Sequence, residues 1–312
     1  MKVFGMARVL RERIRSLAWP ALFVLGSLLV IALVIWWPDS KLERIQDVGG
    51  IIQRSSEDPN APVVVISLTG PEVTDSVLED CQDQADLKRL LLSNTRITDA
   101  GLKWLVGLTR LEELQLNHTS VSDLGLAYLG SLSHLHRLEL ENCRITGTGL
   151  QHLRNLPQLR ELFLTGNKVT DEGLNQLSGA PALTTLILNA NPITDQGLAY
   201  LVNQLNLETL GLSGCRITDA GMIQLTQMRK LKSIHLAHLP LTDQGLRPLQ
   251  ELRDLEVLFL DDTRITDAGL VHLQKLKKLR ILRLVGSGVT LDGLKALRQE
   301  LPKTAVILSE AN

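Results

Sequence analysis

Histidine, cysteine and aspartate are the side chains of this sequence most able to bind a metal or to take part in a reaction. Seven histidines are present. His118 and His238 occupy equivalent positions of a 24-residue period but lie five periods apart, about 24 Å at the spacing of neighbouring strands. No histidine pair has metal-ligand spacing with a third ligand nearby. We therefore interpret the histidines as surface residues and predict no metal site and no cofactor.

The three cysteines do not form a disulfide framework. Cys143 and Cys215 lie three periods apart, roughly 14 Å at strand spacing, whereas a disulfide needs Cα atoms within about 7 Å. Cys81 aligns with Leu105 of the next period, at an expected core position. All three are interpreted as reduced packing residues.

Signatures of catalysis and of nucleic-acid binding are missing from the sequence. It has no nucleophile elbow, no phosphate-binding loop and no His-Glu-x-x-His motif. The net charge of −1 gives no general attraction to nucleic acid. Because 44% of the residues are hydrophobic, most of the chain must fold. We expect a folded protein that is not an enzyme.

A 24-residue repeat organises most of the chain. The tripeptide Ile-Thr-Asp or a close variant begins, without insertion or deletion, at Val73, Ile97, Val121, Ile145, Val169, Ile193, Ile217, Leu241, Ile265 and Val289. Leucines spaced by three in the first half of each unit predict a short helix, and the L-x-x-L-x-L spacing of the second half predicts a short strand. Stacked units predict a parallel sheet of eleven strands, from Val64–Leu68 to Ala305–Leu308.

The Thr-Asp pair of the repeat stands where each helix begins. Either Thr98 or Asp99 is able to accept a hydrogen bond from a free N–H of the helix, and a carboxylate there also suits the helix dipole. Gly147 and Leu291 replace the aspartate in two copies. We interpret the pair as a helix cap, and a calcium site in each turn is the alternative. The glycine two residues after the aspartate, as at Gly101, indicates close packing or a tight turn.

The repeat pattern resembles the leucine-rich repeat family over about residues 63–308. It is similar to the cysteine-containing, ribonuclease-inhibitor-like subclass, especially its bacterial membrane-anchored members. This resemblance implies an α/β solenoid with a parallel sheet on its concave face. It also implies that the column of Cys143, Asn167 and Cys215 hydrogen-bonds to backbone between coils. The fold serves unrelated partners, so the resemblance implies a recognition scaffold and no particular ligand.

The first residues of the chain predict a membrane anchor. Residues 1–16 form a basic tail with a balance of +4, and residues 17–37 are an uncharged run of 21 residues, long enough to span a bilayer. Tryptophans lie near both ends of the run, and no small-x-small cleavage site follows it. We expect an uncleaved single-pass signal-anchor that inserts into the lipid bilayer. The positive-inside rule then predicts a cytoplasmic amino terminus and an extracytoplasmic repeat domain, either periplasmic or at the cell surface.

Between the anchor and the repeats, residues 38–62 are predicted to be a juxtamembrane segment and amino-terminal cap. Ser40 can begin a short helix that Gly49 ends, and Ile51–Gln53 can pair beside the first repeat strand. The leucine-rich repeat domain is then assigned to residues 63–312.

A candidate partner-binding strip lies in the column between the two strand leucines, whose side chains point to the concave face. Its central stretch is apolar or ring-bearing: Phe163, Ile187, Gly211, His235 and Phe259. The flanking columns form a polar rim of Glu161, Thr185, Asn189, Thr209, Ser213 and Asp261. An apolar centre with a polar rim is typical of a protein interface, so we expect a protein or peptide to dock here. Sequence drift on a tolerant surface is the alternative interpretation.

Two other surfaces are weaker candidates. The helix column of Trp104, Tyr128, His152 and Tyr200 presents aromatic rings, and the last strand leaves a sheet edge open to self-association. The resulting prediction is a membrane-anchored protein that recognises its partner non-covalently. A self-assembling structural protein of the envelope, and a regulatory adaptor that binds an enzyme, remain the alternatives.

Overall fold

The computed structural model describes residues 40–177, 180, 182–202 and 206–309. The basic tail 1–16 and the predicted membrane anchor 17–37 lie outside these residues. Within the described ranges, no helix is both long and apolar enough to cross a membrane. The repeats belong to the compact unit Arg44–Asn312.

Short strands and short helices alternate along the described residues. The strands are β1 Ile51–Arg54, β2 Val63–Ser67, β3 Arg89–Leu91, β4 Glu113–Gln115, β5 Arg137–Glu139, β6 Glu161–Phe163, β7 Thr185–Ile187, β8 Thr209–Gly211, β9 Ser233–His235, β10 Val257–Phe259, β11 Ile281–Arg283 and β12 Ala305–Ile307. The α-helices are α1 Ser40–Asp47, α2 Asp75–Cys81, α3 Asp99–Leu102, α4 Asp171–Asn175, α5 Asp195–Leu201, α6 Asp243–Leu246 and α7 Leu294–Glu300. The 3-10 helices are Lys103–Leu105, Gly125–Ser131, Thr148–His152, Gly221–Gln227, Arg247–Glu251 and Asp267–Leu273.

All described strands belong to one sheet, ordered β1 to β12 along the chain. Strands β2 to β12 are parallel to their neighbours, and β1 pairs antiparallel with β2. The prediction of eleven parallel strands, with Ile51–Gln53 beside the first of them, is confirmed. Only the ends differ: the first repeat strand is Val63–Ser67 instead of Val64–Leu68, and the last ends at Ile307.

Leucines from both halves of each repeat build the core. In the unit that begins at Ile97, the helix-side residues Leu102 and Leu105 and the strand-side residues Leu114 and Leu116 are all fully buried. Burying one leucine side chain stabilises the fold by about 1.5–3 kcal/mol. A single unit has no second layer to cover these leucines, so the array is stable only as a stack.

The connecting helices follow the leucine spacing. A spacing of three matches the three residues per turn of a 3-10 helix, and Gly125–Ser131 and Gly221–Gln227 are 3-10 helices. Other connections, such as α5, are α-helical. The prediction of one short helix in each unit is confirmed.

The threonine and the aspartate of the Thr-Asp pair form hydrogen bonds with different repeats, which corrects the prediction that the aspartate caps its own helix. The threonine caps its own helix, since Thr98 Oγ1 accepts a hydrogen bond from Ala100 N at 3.3 Å. The aspartate instead bonds the next repeat: Asp75 Oδ1 accepts from Thr98 N at 2.8 Å, and Asp75 Oδ2 accepts from Thr98 Oγ1 at 2.6 Å. We call this two-bond contact the aspartate staple.

The aspartate staple recurs along the array. In the described residues its pairs are Asp75–Thr98, Asp99–Ser122, Asp123–Thr146, Asp171–Thr194, Asp195–Thr218, Asp219–Thr242, Asp243–Thr266 and Asp267–Thr290. Both oxygens of each carboxylate are engaged by donors of the protein. This engagement explains the aspartate column without a bound cation.

The glycine column makes room for the staples. A Cβ added to Gly101 would lie 2.5 Å from Asp75 Oδ1, and the equivalent glycines meet the preceding aspartate in the same way at Gly125, Gly197, Gly221, Gly245, Gly269 and Gly293. Such an approach is too close for any real side chain, so the column is glycine because a carboxylate of the previous repeat occupies the space. The expectation of close packing is confirmed.

The series of staples is interrupted once, where Gly147 replaces the aspartate. Gly147 has a φ of 110°, and a Cβ on it would overlap the backbone of Gly173. The amide of Thr170 donates instead to the carbonyl of Thr146, at 3.2 Å. A backbone contact thus replaces the carboxylate at this junction.

Asp123, the last staple before the interruption, accepts more hydrogen bonds than the others. Its Oδ1 accepts from the amides of Gly147 and Gly149, at 3.0 and 2.8 Å, in addition to the staple bonds with Thr146. Burial alone would raise the pKa of Asp123, but the bonds from Gly149, Thr146 and Gly147 outweigh it, and the pKa lies below its ordinary value.

An ion pair fixes the amino-terminal cap to the array. Asp80 of α2 is only 6% exposed, and its carboxylate accepts from the guanidinium of Arg44, with Nε 3.0 Å from Oδ2. The pair neutralises a carboxylate that would otherwise be buried without compensation.

We predict that Asp123→Asn lowers the free energy of unfolding at pH 7 by about 1–3 kcal/mol, because an amide group would face N–H donors. A carboxyl whose folded pKa is depressed stabilises the fold above its unfolded pKa and loses that contribution as the pH falls through the folded value. The difference between wild type and variant should therefore stay constant above about pH 5 and shrink below about pH 4. Urea unfolding at a series of pH values measures it.

The matched control is Asp292→Asn. Asp292 is exposed and pairs only with Lys295, so its replacement should change stability by less than about 0.5 kcal/mol at any of these pH values. An Asp123→Asn effect of the same small size would contradict the structural role of the staple.

Candidate protein-binding surface

The structure aligns the five residues of the predicted strip. Phe163, Ile187, Gly211, His235 and Phe259 are third residues of β6 to β10 and lie side by side in the parallel register. The second residue of each strand is a buried leucine or isoleucine, so first and third residues share the opposite face. We call it the open face of the sheet. Its end residues Phe163 and Phe259 are four strands apart, roughly 19 Å at strand spacing.

Two residues in the middle of the strip, Ile187 and Gly211, are buried, which corrects the expectation that the whole strip is an exposed apolar surface. Ile187 is only 8% exposed, and Gly211 is buried. A Cβ added to Gly211 would lie 3.1 Å from two side-chain carbons of Ile187 and 2.9 Å from Asn189 Oδ1. Ile187 therefore fills the space that Gly211 leaves, and the rings at both ends supply the accessible apolar surface.

At one end, Phe259 belongs to a stack across three strands. His235 stacks on its ring with the centroids 4.6 Å apart and the planes 13° apart. On the side of the next strand, the Arg283 guanidinium carbon lies 5.5 Å from the same centroid, and Arg283 Nε donates to Asp261 Oδ2 at 2.9 Å. The ring is held in one orientation by both neighbours.

At the other end, Phe163 lies beside a network of charges that the sequence interpretation missed. The Arg137 guanidinium carbon is 4.4 Å from the centroid of Phe163. We call the surrounding ion pairs the charged network, which comprises Arg89, Glu113, Arg137, Glu139 and Glu161. Arg137 pairs with Glu139 at 2.6 Å and also with Glu161. One signal was available: the first residues of β3 to β6 alternate Arg, Glu, Arg, Glu.

Part of the predicted rim also holds neighbouring repeats together. Asn189 Oδ1 accepts from the amide of Ser213 at 2.9 Å, Ser213 Oγ accepts from Ala237 N at 3.1 Å, and Asp261 Oδ1 accepts from Val285 N at 2.9 Å. Glu161 is engaged in the charged network. The remaining rim residues, Thr185 and Thr209, are half-buried first residues of β7 and β8.

The helix column does not form a ring surface of its own. Lys103 Nζ lies 4.7 Å from the ring centroid of Trp104, and Tyr200 accepts a long hydrogen bond from Gln196, at 3.4 Å. Tyr128 is exposed and His152 is half-buried. No contact between these rings joins the column into one patch in the described structure.

The thiols are buried or half-buried, and two of them bond to the backbone. Cys143 and Cys215 donate to the carbonyls of Leu116 and Leu188, at 3.1 and 3.4 Å, and Asn167 bonds the carbonyl of Leu140, so the expected role of this column is confirmed. Burial raises the pKa of Cys81 to about 12 and that of Cys215 to about 11. Over the described residues, no cluster of three His, Cys, Asp or Glu is placed to hold a metal ion.

We predict that His235 makes the fold sensitive to mild acid. Burial lowers the pKa of His235. The unfolded state therefore binds a proton at a higher pH than the folded state, and stability falls as the pH drops from about 6.5 towards the folded value. The slope for one such group is at most about 1.4 kcal/mol per pH unit. His235→Gln should remove this component in urea unfolding, and His118→Gln, at an exposed position, should leave it in place.

Comparison with known proteins agrees with this architecture. A leucine rich repeat family model matches residues 85–145 and 133–193, and a second one matches residues 203–225. The solved structure of an internalin (InlF) from Listeria monocytogenes is similar over 88% of this chain and 95% of its own, with a TM-score of 0.54 and 18% identity. Internalin C2 (InlC2) from the same organism covers 68% of this chain and 84% of its own, with a TM-score of 0.52 and 26% identity.

No curated protein matches the chain significantly in sequence. The family therefore rests on the repeat models, the 24-residue register of the strands and the stacked leucine core. On these grounds the chain is a leucine-rich repeat protein.

Proposed function

We propose that the protein binds another protein or a peptide on the open face of its sheet, between β5 and β11. The observation that carries the proposal is the pair of partly exposed rings, Phe163 and Phe259, each held beside an arginine at one end of an aligned row. Aromatic side chains supply much of the binding energy of interfaces, and rings that are already fixed lose little entropy on binding. Solenoids of stacked repeats commonly use their extended sheet surface in this way.

We further propose that residues 17–37 anchor the protein in a membrane and that the repeats lie outside the cytoplasm. The support is the 21-residue uncharged run, its terminal tryptophans and the excess of basic residues before it. We also assign the chain to the cysteine-containing subclass of bacterial membrane-anchored members, because Cys143 and Cys215 stand in the Asn/Thr column of the Ile-Thr-Asp repeat. Binding without catalysis is the proposed activity.

A self-assembling envelope protein is the second candidate, and the last strand favours it. Within the described sheet, β12 pairs only with β11, and Ile307 on it is 37% exposed. Strand β1, at the other edge, has a register shift at Gln53 and Arg54, and both of these residues are polar and exposed. A bulge and a charged residue at a sheet edge discourage pairing with another chain.

The test is site-specific crosslinking of the full chain in cells that naturally produce it. A photo-reactive phenylalanine analogue is placed at Phe163 or Phe259 and, as matched controls, at Leu124 or Val271, which are exposed apolar residues outside the sheet. We expect the same crosslinked partner from both ring positions, at least about fivefold more abundant than from either control.

Products that appear equally from all four positions would contradict the proposal. Crosslinks between two copies of the chain, increased by the analogue at Ile307, would favour self-assembly. Capture of one stoichiometric enzyme at the ring positions would define the protein as a regulatory adaptor.

A further inference from the structure

The open face changes in electrostatic character along the sheet. The charged network occupies β3 to β6, and the Asp261–Arg283 ion pair lies at the opposite end. Strands β7 to β9 lie between these two charged regions. None of their first residues, third residues or adjoining rim residues is Asp, Glu, Lys or Arg. These nine residues, which we call the neutral floor, are Thr185, Ile187, Asn189, Thr209, Gly211, Ser213, Ser233, His235 and Ala237.

A charged group placed on the neutral floor would lose water without gaining a counter-charge. The ionised groups around the floor are already engaged. Arg137 pairs with Glu139 and Glu161, and Arg283 pairs with Asp261. Glu208 and Lys232, which precede Thr209 and Ser233 in the chain, pair with each other. Moving a charge from water to a surface that offers no partner is costly. The floor therefore discriminates against ligands that carry charge at their centre.

The neutral floor nevertheless offers hydrogen bonds. The hydroxyls of Thr185 and Thr209 bond to no other described residue, and neither does the side-chain nitrogen of Asn189, whose oxygen accepts from Ser213 N. An extended peptide has free backbone N–H and C=O groups that can meet such side chains, whereas a helix satisfies most of its own. The roughly 19 Å between Phe163 and Phe259 corresponds to about six extended residues.

From this distribution, and resting on the proposed function, we propose that the neutral floor binds an extended polypeptide segment of about six residues that carries no charged side chain. The ends of the segment lie against Phe163 and Phe259. Ionised residues of the partner are accommodated only beyond the two rings, where the charged network and Arg283 can interact with them.

Selection from a phage-displayed library of random twelve-residue peptides tests this proposal, with the full chain held in lipid nanodiscs. We expect the enriched peptides to contain an uncharged run of about six residues far more often than the unselected library does. Their binding should be lost with the Phe163→Ser, Phe259→Ser double variant and retained with Leu124→Ser.

A second experiment tests whether a charge placed on the neutral floor changes which peptides the protein selects. Thr209→Glu places a carboxylate on the neutral floor, and Thr185→Glu does so one strand away. Each should weaken the enriched neutral peptides about tenfold and select peptides with Lys or Arg inside the run, whereas Leu124→Glu, at a residue 77% exposed outside the sheet, should change nothing. Circular dichroism and urea midpoints establish that each variant is folded.

The outcomes separate the two proposals. Peptides that depend on Phe163 and Phe259 but carry charges within the run would overturn the inference and leave the proposed function standing. If both glutamate variants are folded and select the same peptides as the wild type, the inference is overturned as well. If no enriched peptide depends on the two rings, the proposed function fails, and the inference fails with it.

Discussion

The hydrogen bonds that the threonine or serine of one repeat donates to the aspartate of the preceding repeat are the constraint on which this structure depends. Each aspartate staple fixes both the backbone amide and the hydroxyl of its neighbour, as Asp75 does for Thr98. The leucine core supplies most of the stability, but it is non-directional and tolerates sliding. Hydrogen bonds to a carboxylate are directional and do not tolerate such sliding. Each glycine of the column lies so close to the carboxylate of the previous repeat that no side chain fits there. The staples thus hold a 24-residue register across the array.

The register between neighbouring strands determines which side chains lie next to one another on the open face. Because neighbouring strands are offset by one repeat, third residues far apart in sequence become adjacent, and His235 can stack on Phe259 at 4.6 Å. The same alignment gathers the charged network at one end of the open face and leaves the neutral floor at its centre. A surface with two fixed rings and an uncharged middle suits recognition of a polypeptide, since it provides anchors without requiring the protein to rearrange on binding.

Periodicity made most of the fold predictable. The strand order, the short helices, the cap strand and the backbone-bonding column of Cys143 and Asn167 all follow from residue type at a fixed spacing. The prediction that the aspartate caps its own helix is wrong, because a carboxylate at a helix start can equally accept hydrogen bonds from the next coil, and spacing does not distinguish the two. Side-chain contacts were harder still: whether Ile187 covers Gly211, or Arg137 reaches both Phe163 and Glu161, depends on rotamers that spacing does not specify.

The central claim is that staple and glycine act as one unit, and a double-mutant cycle at Asp219 and Gly245 tests it most directly. A Cβ on Gly245 would overlap Asp219 Oδ1, which bonds the amide of Thr242. Asp219→Ala and Gly245→Ala should each lower the free energy of unfolding by about 1–3 kcal/mol. Because removal of the carboxylate makes room for the methyl group, the double variant should lose at least about 1 kcal/mol less than the sum of the two. Strict additivity would contradict the account.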